Sequence, residues 1–449
     1  MNRFEARLLV VLSIFSLAFA GAAMADENEL VALKNQDLAT KANAQEVSTL
    51  KNQVNDLTKK LSMIESKLST VQGQMAAEKP AIAHAGHDIP AAGPLSGIEI
   101  HGFIDTQWNN NFRQPKIGAA VTNTNVGRVF DTHAGTFAVN AAEIDIAKVA
   151  KNPGDAGFRV DVMYGDDANV VNGSLSDGTS KVDLQQAYVE YIAPLSFFEG
   201  NKILPSSVNI KAGRFVTLAG VEVIEAPQNW NISRSFMFGY GIPFTHTGVR
   251  TEFGLFNNFL DVYLGLNNGW DLATDNNKFK TMESAVGWKL FNIQFFHTLY
   301  WGAEMATTSG NKRYLLTNTA TYDVTSKLSV MGEMNYGHQN GVTSGVVRTD
   351  PDWWGFAGYL RYKFTPKFAV SSRSELFADN SAYRTNAVPG NLLNNDRVFE
   401  QTFTAEYKLT DQLIGRGELR FDKGNENNSL ANGAHSSQTT IGAQMIYVV

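Results

Sequence analysis

The residues best suited to chemistry in this 449-residue chain are charged side chains set at every second position. In the run Leu413–Asp422, Arg416, Glu418, Arg420 and Asp422 alternate with Leu413, Gly415, Gly417, Leu419 and Phe421. Arg159 and Asp161, Asp261, Glu333, Arg361 and Lys363, Arg373 and Glu375, and Glu400 and Glu406 belong to segments of the same design. A second concentration lies between Ala212 and Arg250. There Glu222, Glu225, Asn229, Trp230, Asn231 and Arg234 occupy a stretch rich in Gly, Asn, Pro and aromatics. Carboxylates and guanidiniums mixed in this way suit the sorting of hydrated ions and polar solutes. They do not form the nucleophile–base pairs that covalent catalysis requires. His435-Ser-Ser437 has a His-x-Ser spacing, but it falls in a polar loop beside Asn432-Gly433, with no orienting partner. No GxSxG, HExxH or glycine-rich phosphate loop occurs. His84, His87 and Asp88 are loosely spaced on a tether, and neither a metal nor a cofactor is expected.

Composition narrows the class. The absence of cysteine removes disulfides, thiolate metal sites and a lipid-modified N-terminal Cys. A net charge of −6 gives no electrostatic reason to expect nucleic-acid binding. A mean hydropathy of −0.19 is too polar for a helical membrane protein. The one long apolar run, Leu8–Ala20, follows Arg3 and Arg7 and precedes Ala23-Met24-Ala25, a small-residue cleavage site before Asp26. Residues 1–25 read as an export signal.

Residues 26–79 carry a heptad seam. Val47, Leu50, Val54, Leu57, Leu61, Ile64, Leu68 and Val71 alternate spacings of three and four, which is the a/d stripe of a coiled coil. Between copies of the chain, Glu46 faces Lys51 and Lys60 faces Glu65 in the manner of g–e pairs. A narrow seam of this kind buries itself against copies of itself, which makes a homo-oligomer the expected state. Residues 80–97, rich in Ala, Gly and Pro, form a linker.

From residue 98 to 449 the period changes to two. About sixteen segments alternate apolar and polar residues, although parity is ambiguous at 137–148, 291–301 and 314–322. Long connections (109–136, 166–182, 216–242, 268–280, 302–313, 338–352, 378–397, 423–438) alternate with short ones such as 323–327, 366–367 and 410–412; the fourteen residues of 193–206 break the rule. Loops sorted in this way are expected of a transmembrane β-barrel. An Arg or Lys on the lipid face at mid-bilayer costs roughly 2–4 kcal/mol, so the charged parity must face a wet lumen. Trp288, Trp354, Tyr362, Tyr407 and Tyr447 then face outward, where interfacial aromatic girdles lie. The expected fold is an all-β transmembrane barrel of about sixteen antiparallel strands, preceded by an N-terminal α-helical coiled coil.

The stretch Gly213-Arg-Phe-Val-Thr, Glu222-Val-Ile-Glu-Ala-Pro-Gln-Asn-Trp-Asn-Ile-Ser-Arg-Ser-Phe and Ile242-Pro-Phe-Thr-His-Thr-Gly-Val resembles the signature of the β-barrel porin-2 (OmpL-like) family. The resemblance spans 98–449. It implies a water-filled outer-membrane channel for passive diffusion of small hydrophilic solutes or ions, with the lipid bilayer around it. The end Ile441–Val449 resembles the C-terminal assembly signal of such barrels, with Val449 where Phe is usual. A coil ahead of a barrel resembles trimeric porins with a periplasmic extension, which favours a trimer. The alternative function is a barrel-anchored tether whose coil engages peptidoglycan or a periplasmic partner. If the first strand runs outward, the connection at 216–242 is the third external loop. Val221, Val223, Ile224, Trp230, Phe236 and Phe238 are too apolar for a solvated loop. They should pack on the inner wall and leave Glu222, Glu225 and Arg234 at the narrow point.

Overall fold

Alternation of side chains along each segment makes one face apolar and the other polar, and closing such strands on themselves satisfies every backbone donor and acceptor within a bilayer. The computed structural model describes residues 97–449 except 114–115, 118–119, 122–123, 173–179, 307, 345–346, 381, 386–396 and 425–435. The expected signal, coiled-coil seam, linker and His84/His87 group, and His435, lie outside the described residues.

The barrel strands are β1 (Glu99–Asn111), β2 (Thr136–Lys148), β3 (Ala156–Tyr164), β4 (Val182–Pro194), β5 (Ser207–Val216), β6 (Thr245–Leu255), β7 (Leu260–Asn267) and β8 (Thr281–Leu290). They continue as β9 (Ile293–Ala303), β10 (Lys312–Asp323), β11 (Leu328–Gln339), β12 (Asp352–Lys363), β13 (Phe368–Asp379), β14 (Arg397–Lys408), β15 (Leu413–Gly424) and β16 (Ser437–Val448). Each strand pairs with its neighbours in sequence, and β1 closes on β16 from Phe103↔Val448 to Asn111↔Thr440. The result is a closed, antiparallel, sixteen-stranded barrel. One end carries tight turns. Phe291-Asn292, with φ of 50° and 70°, is a two-residue turn whose two left-handed residues match the right-handed twist of the flanking strands. The other end carries the long loops, among them 112–135, 165–181 and 217–244.

The segments of ambiguous parity have identifiable causes. In β2, Asp105 pairs with Ala141 but Thr106 pairs with Val139, so Asn140 is an extra residue that flips the alternation. In β9 and β10, His297 and Asn318 share the outer face with Phe295 and Leu316, and bond to each other at 2.7 Å. A polar pair on the lipid side breaks the pattern that a charge-based reading relies on.

The outer wall exposes Phe137, Val189, Leu266, Phe403 and Leu419. The apolar core is elsewhere. Val126, Val129 and Phe130 of the first loop meet Phe236, Phe238, Tyr240 and Phe244 of the third, together with Trp353 and Phe377 of the wall. Loops folded inward build this core within the lumen.

Candidate functional site

The third loop, 217–244, leaves β5 and returns to β6 with its ends tied, since Thr217 N–H bonds the carbonyl of Phe244 at 2.9 Å. Between them a short 3₁₀ turn (Ala226–Gln228) starts with Pro227 in its first turn, and a π-helical turn spans Met237–Gly241. Every residue from Phe236 to His246 is buried. Aromatic rings pack this turn: Phe238 lies 5.6 Å from Phe130 and Phe236 lies 6.5 Å from Phe377 between ring centroids. Two glycines make room for it. A Cβ on Gly239 would come within 2.7 Å of Val129, and one on Gly337 within 2.0 Å of the Trp353 ring. That indole donates to the carbonyl of Gly241 at 2.9 Å.

A loop buried in this way must place its backbone donors and acceptors. The wall charges supply the partners. Glu333 on β11 accepts from Val221 N–H at 3.0 Å. Glu375 on β13 accepts from Phe236 and Met237 at 2.7 and 2.6 Å. Glu418 on β15 accepts from Ile232 and Ser233 at 2.6 and 3.0 Å. Loop carbonyls meet guanidiniums: Arg373 donates to Ser233 O and Arg420 to Arg234 O, both at 2.6 Å, while Arg416 donates to Ala226 O at 3.1 Å. The alternating signs on β11–β15 therefore match the alternating needs of a polypeptide backbone. Bonds to charged groups are about twice as strong as neutral ones, which suits a loop held without a sheet of its own.

The loop's own charges face the same wall or the loop itself. Glu222 is bound by Arg373 at 2.6 Å and accepts from Ser235 N–H at 2.8 Å. Arg234, only 4% exposed, donates to the carbonyls of Ile224, Val223 and Ile232 at 2.6, 3.1 and 3.1 Å, closing the loop on itself. Glu225 accepts from Gln185 on β4 at 2.7 Å, and burial pushes its carboxyl above the usual range. Asn229 bonds both N–H and C=O of Val223, and Asn231 donates to Thr404 at 2.7 Å. Trp230 stays half-buried under the Arg361 guanidinium, 5.9 Å from the ring centroid. The side chains expected at the narrow point are thus engaged in holding the loop together and to the wall.

The other expected wall residues all have inward parity. Glu400 takes Arg373 at 2.8 Å, and Asp422 takes Arg420 at 2.7 Å. Glu406 pairs with both Arg361 and Arg416. On the opposite side of the lumen Arg159 pairs with Asp161 at 2.8 Å and remains partly exposed. Asp261 and Lys363 are exposed near the tight-turn end.

Several residues of the site were not singled out by sequence. Arg128 of the first loop reaches Asp422 at 2.8 Å and also contacts Asp131. Burial weakens its charge, yet the two carboxylates hold it above the ordinary arginine range. Helix α1 (Asp166–Val171) tucks Asp167, Ala168 and Val171 inward, and burial pushes the Asp167 carboxyl up to about 8 against the pull of Arg234. Tyr300 anchors the loop entry, its hydroxyl accepting from Leu218 N–H at 3.0 Å. Arg384 caps Tyr240 O at 2.8 Å, and burial beside Arg313 lowers it to about 10. Val126, Val129 and Phe130 around Arg128 carry the same signal that marked the third loop.

Known proteins place this architecture. The family model "Putative beta-barrel porin-2, OmpL-like" matches residues 97–448. The chain belongs to this porin family. Solved structures agree on the fold at low identity. The outer membrane channel DcaP of Acinetobacter baumannii matches with TM-score 0.53 and 11% identity, over 78% of this chain and 97% of that one. The OmpF complex with daunomycin from Salmonella typhi gives 0.51 and 9%, over 78% and 97%. An anion-selective porin from Comamonas acidovorans gives 0.50 and 10%, over 78% and 99%. A comparison with curated proteins gives no match. The porin is an outer-membrane channel for passive diffusion of solutes, and its inserted loop occupies the lumen of that channel.

Proposed function

We propose that the third loop sets the width and charge of the diffusion path. The observation that carries this reading is the attachment of residues 221–237 to β11, β13 and β15 by wall carboxylates. That attachment lies on one side of the barrel, and the greater exposure of inward charges on β3–β7 supports a passage on the other. Arg159, Glu190 and Lys211 keep partial exposure there, and Glu252 and Asp261 are exposed, in contrast to the fully buried Arg373, Glu400 and Asp422. Solutes crossing this path meet both signs of charge, and selectivity follows from their balance at the narrowest level. Small hydrophilic solutes and ions are the substrates of such a path.

Long loops lie outside and tight turns at the periplasm in barrels of this kind, so residues 26–79 precede a strand that starts on the periplasmic side. Their seam assembles copies of the porin into a homo-oligomer, with a trimer favoured, and offers a surface for peptidoglycan or a periplasmic partner. Planar-bilayer recordings of the purified porin test the channel: stepwise conductance with a defined reversal potential in a salt gradient is expected, and electrical silence would favour a barrel-anchored tether. Cross-linking with and without residues 26–79 tests the coil, because a truncated barrel that stays equally oligomeric would exclude it as the assembly element.

A further inference from the structure

At the tight-turn end of the lumen, the tip of the third loop leaves a cavity of about 600 Å³. Its wall is strongly basic. Arg361, Lys363, Lys367 and Lys408 all line it, drawn from β12, the β12–β13 turn and β14. The acids Asp323 and Glu406 also line it, but Glu406 already serves both Arg361 and Arg416. The ammonium groups of Lys363, Lys367 and Lys408 have no ion pair among the described residues. This contrasts with the rest of β11–β15, where nearly every inward charge is engaged with the loop or with a neighbour. Trp230 forms part of the lining, half-buried, with the Arg361 guanidinium over its ring.

We propose that this cavity is a binding subsite for organic anions that combine a carboxylate, sulfonate or phosphate with a flat apolar body. The proposal rests on the reading of the porin as a diffusion channel. The three unpaired ammonium groups and Arg361 attract the anionic end. The Trp230 ring offers a face for the apolar end, and the exposed Gln228 beside it supplies polar contacts at the rim. A concentration of one sign of charge between low-dielectric walls raises the local concentration of the opposite ion. The subsite would therefore hold organic anions at the periplasmic mouth, where an occupant partly obstructs the flow of small ions.

Benzenesulfonate is a suitable probe, and benzylammonium its charge-reversed control. In planar bilayers containing the full-length porin, benzenesulfonate should reduce the conductance in a saturable manner, and benzylammonium should not. Lys363→Gln combined with Lys408→Gln removes two charges at a wet wall and should raise the half-blocking concentration by about tenfold. Trp230→Leu should raise it about threefold. Equal block by both probes, or block unchanged in the double variant, would overturn the subsite while the conductance steps themselves uphold the channel. A parent porin without conductance steps would instead overturn the channel reading and the subsite with it.

Discussion

Arg373 of β13 lies 2.6 Å from Glu222 of the inserted loop, with both side chains sealed from solvent. The same guanidinium reaches Glu400 on β14 at 2.8 Å. One cation thus holds a loop carboxylate and a wall carboxylate together. Removing one partner of a buried ion pair costs about 3–5 kcal/mol, because the partner left behind keeps its charge without compensation. Arg373→Met should loosen residues 221–237 from the wall. Single-channel recording should show larger and noisier openings, and limited proteolysis should cut within 217–244. A variant with parental conductance and an uncut loop would show that the backbone bonds suffice.

Arg234 donates its fork to three carbonyls of its own loop, a geometry that an ammonium reproduces only in part. Arg234→Lys should keep the charge and lose about 1–2 kcal/mol of loop stability, the worth of one or two hydrogen bonds. The check is hydrogen exchange: the amides of residues 222–235 should exchange faster than in the parent while barrel strands are unchanged.

The pH response of α1 follows from Asp167. Burial raises its carboxyl from 3.8 to about 8 when the helix is docked. The docked form therefore holds a proton that the undocked segment releases above pH 3.8. Docking is strongest at acid pH, weakens as the pH climbs toward 8, and stops changing above it. Proteolysis of the 165–181 loop should accelerate across that window in the parent, and Asp167→Asn should flatten the curve. A pH-independent parent would remove Asp167 from this role.

His297 and Asn318 bond to each other on the outer wall. His297→Leu alone leaves the amide of Asn318 without its partner and should destabilise the barrel by about 1–3 kcal/mol. The double change to Leu should restore stability to near the parental level, since both polar groups are then gone. Thermal unfolding followed by gel shift of unheated against heated samples measures the difference. A double variant less stable than the single one would mean that this face needs its polarity for contact with another surface.

The barrel was legible because lipid and water impose opposite demands on successive residues. Leu413–Asp422 could be assigned to its faces from charge alone. Legibility failed where a residue departed from the alternation: Asn140 as a bulge, His297 and Asn318 as outward polar groups. The inserted loop was legible from Trp230, Phe236 and Phe238, which are too apolar for water. The role of its charges was not. Sequence marks Arg234 and Glu222 as charged but does not reveal that backbone carbonyls and Arg373 already engage them. The contribution of the first loop went unread although Val126, Val129 and Phe130 bear the same apolar mark.

The wall side chains that bond the backbone of residues 221–237 come later in the chain than the loop itself: Glu333, Arg373, Glu375, Arg416, Glu418 and Arg420. A nascent barrel that has laid down only its first half contains this loop but none of these six side chains. Biogenesis of the porin is thereby coupled end to end. The loop finds its final seat only when strands β11–β15 enter the sheet, so seating it and sealing the β1–β16 seam belong to the same late step. An unfinished barrel would keep this apolar loop without its seat.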